Sequence, residues 1–379
     1  MLQKVGDAVL VGQLVARACA NPEAHRQRLH GRDRFGDHTD AVAQSRLVQV
    51  HRRESIPCGA ASGTLAPMRV GVLDIGSNSV LLLVGERAGA GWRIVTDQTR
   101  ITRLGAGFGK ARLLQPEAIE RTLQAVDEYL AQCRVLQVGR IVAAATAVVR
   151  EAVNPDAILQ PLRERLPDDA ELRVLSEADE ARLSYLSVAL DETLGVGAAQ
   201  LAVLDIGGGS VEVALGRGAQ VQAWRSFPVG AGRVREAYMP SDPPSPREVL
   251  AATRALDEAF APLRELPQPD RVVSIGGTGV NLATLALGLT AFDPAQVHGV
   301  WFGDETPAAL LERLLRLSDA ERRALPGIEP DRAPLLHVGA LILERALFAL
   351  RREEVQVSTR GLRYGVLCEL RENSPSTPE

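Results

Sequence analysis

Short apolar runs and amphipathic stretches alternate along the chain from residue 68 onward. Runs of small and β-branched apolar residues, such as Arg140–Ala145 and Arg271–Ile275, predict buried strands. Apolar residues at helical spacing predict helices over Pro116–Val135 and Glu177–Leu190, the first with Pro at its start. Each half of the chain begins with a strand hairpin and continues into strand–helix units. This order predicts an α/β protein with two similar lobes.

An internal repeat links the two halves. Residues 70–85 are VGVLDIGSNSVLLLVG and residues 201–216 are LAVLDIGGGSVEVALG, which agree at eight of sixteen positions. Each copy predicts a buried strand, an Asp at the end of that strand, a Gly/Ser turn and a returning strand. We expect the two hairpins to face each other across a cleft, because duplicated halves usually do so.

The turns of these hairpins have the composition of phosphate-binding loops. Glycines allow backbone N–H groups to approach an anion closely, and Ser hydroxyls add donors. Asp74 and Asp205 would repel a bare phosphate, so they suit a site where Mg²⁺ joins carboxylates to phosphate oxygens. For one copy alone, an ordinary hairpin whose Asp caps its own turn is the alternative. The predicted phosphate contacts are Ser77, Asn78, Ser79, Gly207, Gly208, Gly209 and Ser210.

A third glycine cluster lies in the second half, in the stretch VVSIGGTGVN. The pattern predicts a strand over Arg271–Ile275, a glycine turn, and a helix over Gly279–Leu287. A helix N-terminus above such a turn favours an anion, so Gly276, Gly277 and Thr278 are further candidate phosphate contacts. The cluster lacks the Lys of a P-loop and is weak evidence by itself.

Three side chains outside the turns are candidates for the chemistry. Glu180 opens a predicted helix after Ser176 as N-cap, and we predict that it is the catalytic base; serving only the helix dipole is the alternative. Arg150 follows a strand and is either a phosphate contact or a surface charge. Glu212 stands where the first copy has Leu81, which suggests that the second loop carries the metal or the water. A buried structural Glu is the alternative there.

Composition and charge exclude several classes of protein. With 46% hydrophobic and 24% charged residues, the 379-residue chain is neither disordered throughout nor a fibrous repeat. No apolar run reaches the ~20 residues of a membrane span. The net charge of −4 argues against general nucleic-acid coating but allows an anion held by local arginines or a metal. The four cysteines lack metal-ligand spacing and suit a reducing, cytoplasmic compartment.

The chain from Met68 to about Arg371 resembles the exopolyphosphatase/guanosine pentaphosphate phosphatase (Ppx/GppA) family. The resemblance implies the actin-like, ribonuclease H-like fold of two lobes that acetate kinase, sugar kinases and heat-shock chaperones share, with an interdomain cleft. It also implies Mg²⁺-dependent release of a terminal phosphate from inorganic polyphosphate, from pppGpp or from both, and it suggests a homodimer. The stretches that carry the resemblance are VLDIGSNSVLLLV, TRLGAGFGKARLLQPEAIERTL, AAATAVVREAVN, LSEADEARLSY, LDIGGGSVEVALG, SFPVGAGRV, IGGTGVNLATL, DPAQVHG and VSTRGLRYGVL.

The resemblance also implies roles for residues at matching positions. Glu180 would activate the attacking water, while Asp205 and Glu212 would belong to the catalytic and metal site, with Asp74 as a further metal ligand. Two other classes stay open: a kinase of the same fold that transfers the ATP γ-phosphate to a small acceptor, and a non-catalytic polyphosphate or alarmone sensor. The implied phosphate contacts are Ser77, Asn78, Arg150, Gly207 and Ser210.

Departures from the family pattern lie in two places. The LGxG loop has Gly105-Ala106-Gly107 without the usual acid, and Arg363-Tyr364-Gly365 stands where the family often has Arg-Glu-Gly. Neither is a core catalytic position, but both bear on substrate choice. The chain resembles the short two-domain members of the family, which argues against processivity on long polyphosphate.

The predicted domains follow the repeat. We expect a first lobe over 68–188, a second lobe over 189–371 whose last helix packs back on the first, and a tail over 372–379. Residues 1–67 hold four of the six histidines and show no lasting periodicity. We expect them to be an unpacked extension or a start-site artefact, with Met68 as the native start.

Overall fold

The computed structural model describes residues 68–89, 91–109, 111–302 and 306–372. Our predictions for residues 1–67 and for the tail beyond residue 372 lie outside the described residues. Within the described ranges, no helix combines the length and apolar character needed to cross a lipid bilayer. The described residues form two sheets with helices packed on them.

The first sheet has the strand order β3-β2-β1-β4-β5. Strands β1, β2 and β3 are antiparallel neighbours, whereas β4 and β5 continue the sheet parallel to β1. Its strands are β1 (Arg69–Ile75), β2 (Ser79–Ala88), β3 (Gly91–Ile101), β4 (Arg140–Ala145) and β5 (Glu171–Val174). The helices in this part of the chain are α1 (Pro116–Val135), α2 (Ala147–Arg150), α3 (Asp156–Arg165) and α4 (Glu177–Ala189).

The second sheet has the strand order β8-β7-β6-β9-β11-β10, which repeats the first with one added edge strand. Its strands are β6 (Gln200–Ile206), β7 (Val211–Arg217), β8 (Gln220–Phe227), β9 (Arg271–Ile275), β10 (Trp301–Phe302) and β11 (Val355–Val357). The helices are α5 (Ala231–Tyr238), α6 (Pro246–Ala259), α7 (Gly276–Ala286), α8 (Pro294–Val297), α9 (Thr306–Arg316), α10 (Asp319–Arg323), α11 (Ala333–Ala349) and α12 (Leu362–Glu372).

The two sheets correspond strand by strand. In each, the repeated hairpin supplies the central strand and its antiparallel neighbour, and a parallel strand follows on the other side. Even the register shift recurs, between Val84 and Gly85 in the first sheet and between Leu215 and Gly216 in the second. The predicted two-lobed α/β fold of the actin-like class is therefore confirmed.

The cores follow from the alternation of apolar residues along the central strands. On β1, Leu73 and Ile75 pack with the apolar stripes of α1 and α3, whereas Val70 and Val72 face the opposite side of the sheet. Each such side chain removed from water contributes about 1.5–3 kcal/mol to folding. The pattern explains why both faces of the first sheet must be covered.

Two helices exchange partners between the sheets. Helix α12, the last among the described residues, covers the free face of the first sheet with Leu362, Val366 and Leu367. Helix α4, which precedes the second repeat, packs instead against the second sheet through Tyr185 and Val188. The domain boundary that we predict between residues 188 and 189 stays a prediction. Most of α4 precedes this boundary, yet α4 packs against the second sheet.

One element starts earlier than we predict. The sequence predicts a glycine turn before a helix from Gly279, but α7 begins at Gly276, directly after β9. Glycine is a poor helix former in isolation, so local propensity places the start too late. The buried strand before it and the apolar residues Leu282 and Leu285 fix the helix by packing.

Candidate active site

The two predicted phosphate loops have the same internal hydrogen bond. The N–H of Gly76 donates to the carbonyl of Ser79 at 2.9 Å, and the N–H of Gly207 donates to the carbonyl of Ser210 at 3.0 Å. All the residues of both turns are half-buried. The repeat in sequence is therefore a repeat in backbone geometry.

Each loop is held from behind by a different element. In the first lobe, the N–H of Gly105 donates to the carbonyl of Ser77 at 2.8 Å, so the LGxG loop supports the turn. In the second lobe, Ala231 donates to Gly207 and Gly232 donates to Gly208, each at 2.9 Å, from the start of α5. In a trans peptide, N–H and C=O point in opposite directions. The N–H groups of Gly208 and Gly209, which follow the two bonded carbonyls, therefore point away from α5.

A pair of acids lies at the end of the second hairpin. Asp205 and Glu212 are direct partners across β6 and β7, so their carboxylates share one face of the sheet. The pKa of each is raised to about 7, mainly by burial, and the negative charge of Asp205 contributes to the rise at Glu212. Ser226 donates a hydrogen bond to Glu212 at 3.0 Å. The second hairpin therefore places two carboxylates side by side where burial disfavours their charged forms.

The acid of the first hairpin has different surroundings. Asp74 lies opposite Leu81 on β2, so no second carboxylate accompanies it there. Burial raises its pKa to about 6, and the positive charge of Arg363 on α12 opposes that rise. Arg363 is itself fixed by two hydrogen bonds of 2.9 Å to Asp97.

Glu180 lies between the two lobes in the first turn of α4. Ser176 caps this helix by accepting a hydrogen bond from the N–H of Asp179 at 3.1 Å. The Glu180 side chain is 13% exposed and makes an ion pair with Arg150. Burial raises its pKa to about 7; Arg150 lowers it, and the carboxylates of Glu212 and Asp74 raise it. The acid that we predict to be the base is thus close to both hairpins.

Arg150 is fixed at the C-terminal end of α2. Besides Glu180, its guanidinium donates to the carbonyl of Leu175 at 2.6 Å and lies 3.8 Å from Glu177. Its side chain is partly exposed to solvent. In this structure Arg150 positions Glu180, and its predicted contact with phosphate stays a prediction.

The third glycine cluster adjoins the acids. Gly276 has a φ of 78°, and a methyl group at this position would lie 2.7 Å from Oδ1 of Asp205. Thr278 lies beside the carbonyl of Ile206, as Thr146 lies beside that of Ile75 in the first lobe. The cluster therefore forms one wall of the acidic site.

Arg332 is a site residue that the sequence reasoning missed. Its guanidinium lies so close to Gly277 that a methyl group there would overlap Nη1. Glu329 holds its Nε at 2.6 Å. Arg332 precedes α11, far along the chain from the glycine cluster, and its local sequence carries no motif. None of the stretches that carry the family resemblance contains Arg332, so no signal in the sequence pointed to it.

The donor set fits Mg²⁺ in its chemistry. In the described part of the chain, no three His, Cys, Asp or Glu side chains converge to ligate one ion directly. Mg²⁺ commonly takes one or two carboxylates and completes its shell with water and phosphate oxygens. Burial first, and neighbouring carboxylates second, raise the pKa values of Asp205 and Glu212, and a divalent cation beside them would favour their charged forms.

The structure thus brings the predicted residues to one place. The charges of Asp74, Asp205, Glu180 and Glu212 act on one another, and the glycine loops end beside them. Which of these residues act in catalysis, bind metal or bind phosphate stays a prediction.

Comparison with known proteins identifies the family of this chain. Residues 82–374 match the Ppx/GppA phosphatase family. The chain belongs to this family. Among its Ppx/GppA relatives, exopolyphosphatase 2 of Mycobacterium tuberculosis is 33% identical over 322 residues, which cover 81% of this chain and 99% of that protein. Exopolyphosphatase 1 of Mycobacterium leprae is 32% identical over 311 residues, 79% of this chain and 88% of that one.

Solved Ppx/GppA structures share the fold. The crystal structure of the Aquifex aeolicus family member has a TM-score of 0.71 at 30% identity, covering 81% of this chain and 99% of that chain. A crystal structure of an exopolyphosphatase-like protein has a TM-score of 0.73 at 25% identity over 80% of this chain.

Proposed function

We propose that this protein is an Mg²⁺-dependent exopolyphosphatase, which hydrolyses the terminal phosphoanhydride bond of inorganic polyphosphate. One observation carries the proposal: a half-buried glutamate, Glu180, lies between two glycine loops whose acids, Asp74 and Asp205, interact with it electrostatically. The names of the curated relatives support polyphosphate as the substrate class.

The hydrolytic step needs few groups. Water attacks the terminal phosphorus, a new P–O bond forms, and the bridging P–O bond breaks to release the shortened chain. Glu180 accepts the proton of the attacking water. Its pKa of about 7 suits a general base near neutral pH, where a large share is deprotonated yet still basic. Positioning and charge supply most of the catalysis of phosphoryl transfer.

The remaining residues orient the substrate. The N–H groups and hydroxyls of the two turns, with Gly276–Thr278, would hold phosphate oxygens. Asp205 and Glu212 would hold Mg²⁺, and Asp74 would attract it by charge without being a third direct ligand; the ion when bound offsets charge on the phosphate oxygens. Arg150 orients Glu180, while Arg332 beside Gly277 adds positive charge to the same wall.

Three other functions stay as alternatives. Conversion of pppGpp to ppGpp is the same reaction on a nucleotide. A kinase would transfer the phosphoryl group to an acceptor instead of water, and a sensor would bind without release. Orthophosphate release from long polyphosphate, short polyphosphate and pppGpp, measured side by side with Mg²⁺, separates the two hydrolases from each other and both of them from a kinase or a sensor.

The test of the mechanism is Glu180→Gln. We expect turnover to fall at least ~100-fold, the low end for loss of a general base, while the fold stays intact. Asp179→Asn is the matched control, because Asp179 occupies the same helical turn and is exposed to solvent. Near-normal turnover of Glu180→Gln would remove the base from the proposal, whereas equal losses in both variants would indicate damage to α4.

A further inference from the structure

An ion pair spans the cleft beside the second phosphate loop. Arg233, on the first turn of α5, lies 3.6 Å from Glu151, which directly follows Arg150 in the first lobe. A methyl group on Gly209 would lie 3.8 Å from Nε of Arg233, so the guanidinium borders the loop itself. Its side chain is 45% exposed, which places it at the open edge of the site.

A second pair spans the cleft beside the first phosphate loop. Arg103 donates its backbone N–H to the carbonyl of Asn78 at 2.9 Å, and its side chain pairs with Asp331 of the second lobe. Both side chains are about half exposed. In each pair the acid directly adjoins an arginine of the site, Arg150 in one case and Arg332 in the other. The two pairs differ in one respect: only the guanidinium of Arg233 is seen to border a glycine of the loop.

Exposed ion pairs of this kind are weak. Pairs in water contribute about 0–1 kcal/mol, because solvent screens them and long side chains lose freedom. A guanidinium binds phosphate oxygens more strongly, through two parallel hydrogen bonds to a dianionic or polyanionic group. A polyphosphate chain that reaches Arg233 would therefore displace Glu151.

We propose that Arg233 is an outer phosphate-binding residue, which holds the chain of polyphosphate beyond the scissile bond, and that Glu151 competes with the chain for it. This inference rests on the proposed function, since it assumes a polyphosphate substrate. Arg233 borders the loop on the solvent side, so it meets phosphates that follow the terminal one. Only substrates long enough to extend out of the cleft gain from it. Arg233 thus sets a preference for chain length and takes no part in bond cleavage.

The experiment compares KM and kcat for a long polyphosphate and for tripolyphosphate. For Arg233→Gln we expect KM for the long chain to rise about tenfold, the scale of one lost charge-assisted contact at an exposed site. We expect kcat, and KM for tripolyphosphate, to change less than about twofold. Arg233→Lys keeps the positive charge but loses the planar guanidinium. Its KM for the long chain should lie between those of the wild-type protein and Arg233→Gln.

The direction in which Glu151→Gln changes KM for the long chain decides between competition with substrate and closure of the lobes. If Glu151 competes with substrate, its replacement lowers KM for the long chain, opposite to the effect of Arg233→Gln. If the pair instead serves to close the lobes, both variants raise KM, and the proposal is wrong. Asp331→Asn controls for simple loss of a negative charge at the cleft, and Arg103→Gln controls for loss of a pair between the lobes. Equal effects of Arg103→Gln and Arg233→Gln would also overturn the proposal.

Two failures are distinguishable in the same assay. Wild-type protein that releases no orthophosphate from either substrate contradicts the proposed function. Wild-type protein that hydrolyses both substrates, with a KM that Arg233→Gln leaves unchanged on the long chain, contradicts only this inference. Melting temperatures of all variants confirm that each is folded, which is expected because the four substituted side chains are at least partly exposed.

Discussion

The two hairpins share a backbone and differ in charge. Both turns close with the same hydrogen bond, and both carry an Asp at the end of the central strand. Opposite that Asp, the first hairpin has Leu81 and the second has Glu212. Arg363 offsets the charge of Asp74, whereas the charges acting on Asp205, those of Asp74 and Glu180, add to its own. The two copies therefore share the shape of the turn but differ in charge, because only the second has another carboxylate opposite its Asp.

This difference in charge predicts different roles for two loops of the same shape. Two similar loops can hold an anion symmetrically, but a cation is attracted to the side with excess negative charge. We therefore expect the divalent ion nearer to Asp205 and Glu212 than to Asp74. The first loop, with its compensated acid, is suited to gripping phosphate.

Replacing the two aspartates one at a time tests this difference with the largest expected effect. Asp205→Asn should lower kcat at least ~100-fold and raise the Mg²⁺ concentration for half-maximal activity, a loss comparable to that of a catalytic acid or base. Asp74→Asn should lose less, because Arg363 already offsets its charge. Steady-state rates at several Mg²⁺ concentrations measure both effects. Equal losses would show that the lobes share the metal evenly.

Gly276, which directly follows strand β9 in the second lobe, has a backbone conformation that favours glycine. Gly276→Ala forces an unfavourable φ, which costs about 1–3 kcal/mol, and also pushes a methyl group against Asp205. We expect kcat to fall about tenfold or more from displacement of that carboxylate, with a lower melting temperature. Gly288→Ala is the matched control, since Gly288 has a φ of 64° and open space around it. If both variants lose activity equally, backbone strain rather than Asp205 is responsible.

The pH dependence of turnover tests how the acids couple to Glu180. A base acts when deprotonated, so activity should rise with pH through a midpoint near 7, the pKa of Glu180. Asp74→Asn should move this midpoint to lower pH, because the Asp74 carboxylate raises the pKa of Glu180. Raising the Mg²⁺ concentration should act in the same direction, since a nearby cation favours the charged form. A midpoint unaffected by either change would separate Glu180 from the acidic cluster.

Stability should show the smallest effect and the opposite trend with pH. The folded pKa values of Asp205 and Glu212 are about 7, above their ordinary values, so the folded protein binds more protons than the unfolded chain between about pH 4 and 7. The contribution of these acids therefore weakens as pH rises through that window. We expect melting temperatures in chelator to fall by a few degrees toward pH 8, and less in Asp205→Asn than in Asp74→Asn. Added Mg²⁺ should restore them.

Local patterns predicted the regular elements well. The bounds of α1, β4 and β9 agree with the prediction to the residue, because Pro starts α1 and the short apolar runs of the two strands have clear ends. The repeated hairpin predicted the paired loops, since the same residues impose the same turn. These features depend on neighbours in sequence.

Contacts between distant segments escaped prediction. Arg332 approaches Gly277, and Arg363 reaches Asp97, only after several elements have packed. Neither arginine lies next to its partner in sequence, so sequence alone could not assign that partner. The pairing of Asp205 with Glu212 could be predicted from the sequence, because the antiparallel register follows from the turn. Its charge balance was not, because that depends on burial.

The exchange of α4 and α12 makes the order of synthesis matter. The first sheet is made before Leu367 and its neighbours, which cover one of its faces and lie much later in the chain. Trp92 donates its indole N–H to the carbonyl of Leu367 at 2.8 Å, and at Gly365 the last helix comes against the backbone of Leu183. A chain stopped before residue 362 would leave Val70, Val72 and their neighbours exposed to water. We therefore expect the first sheet to stay incompletely packed until α12 is made and its packing joins both lobes into one cooperative unit.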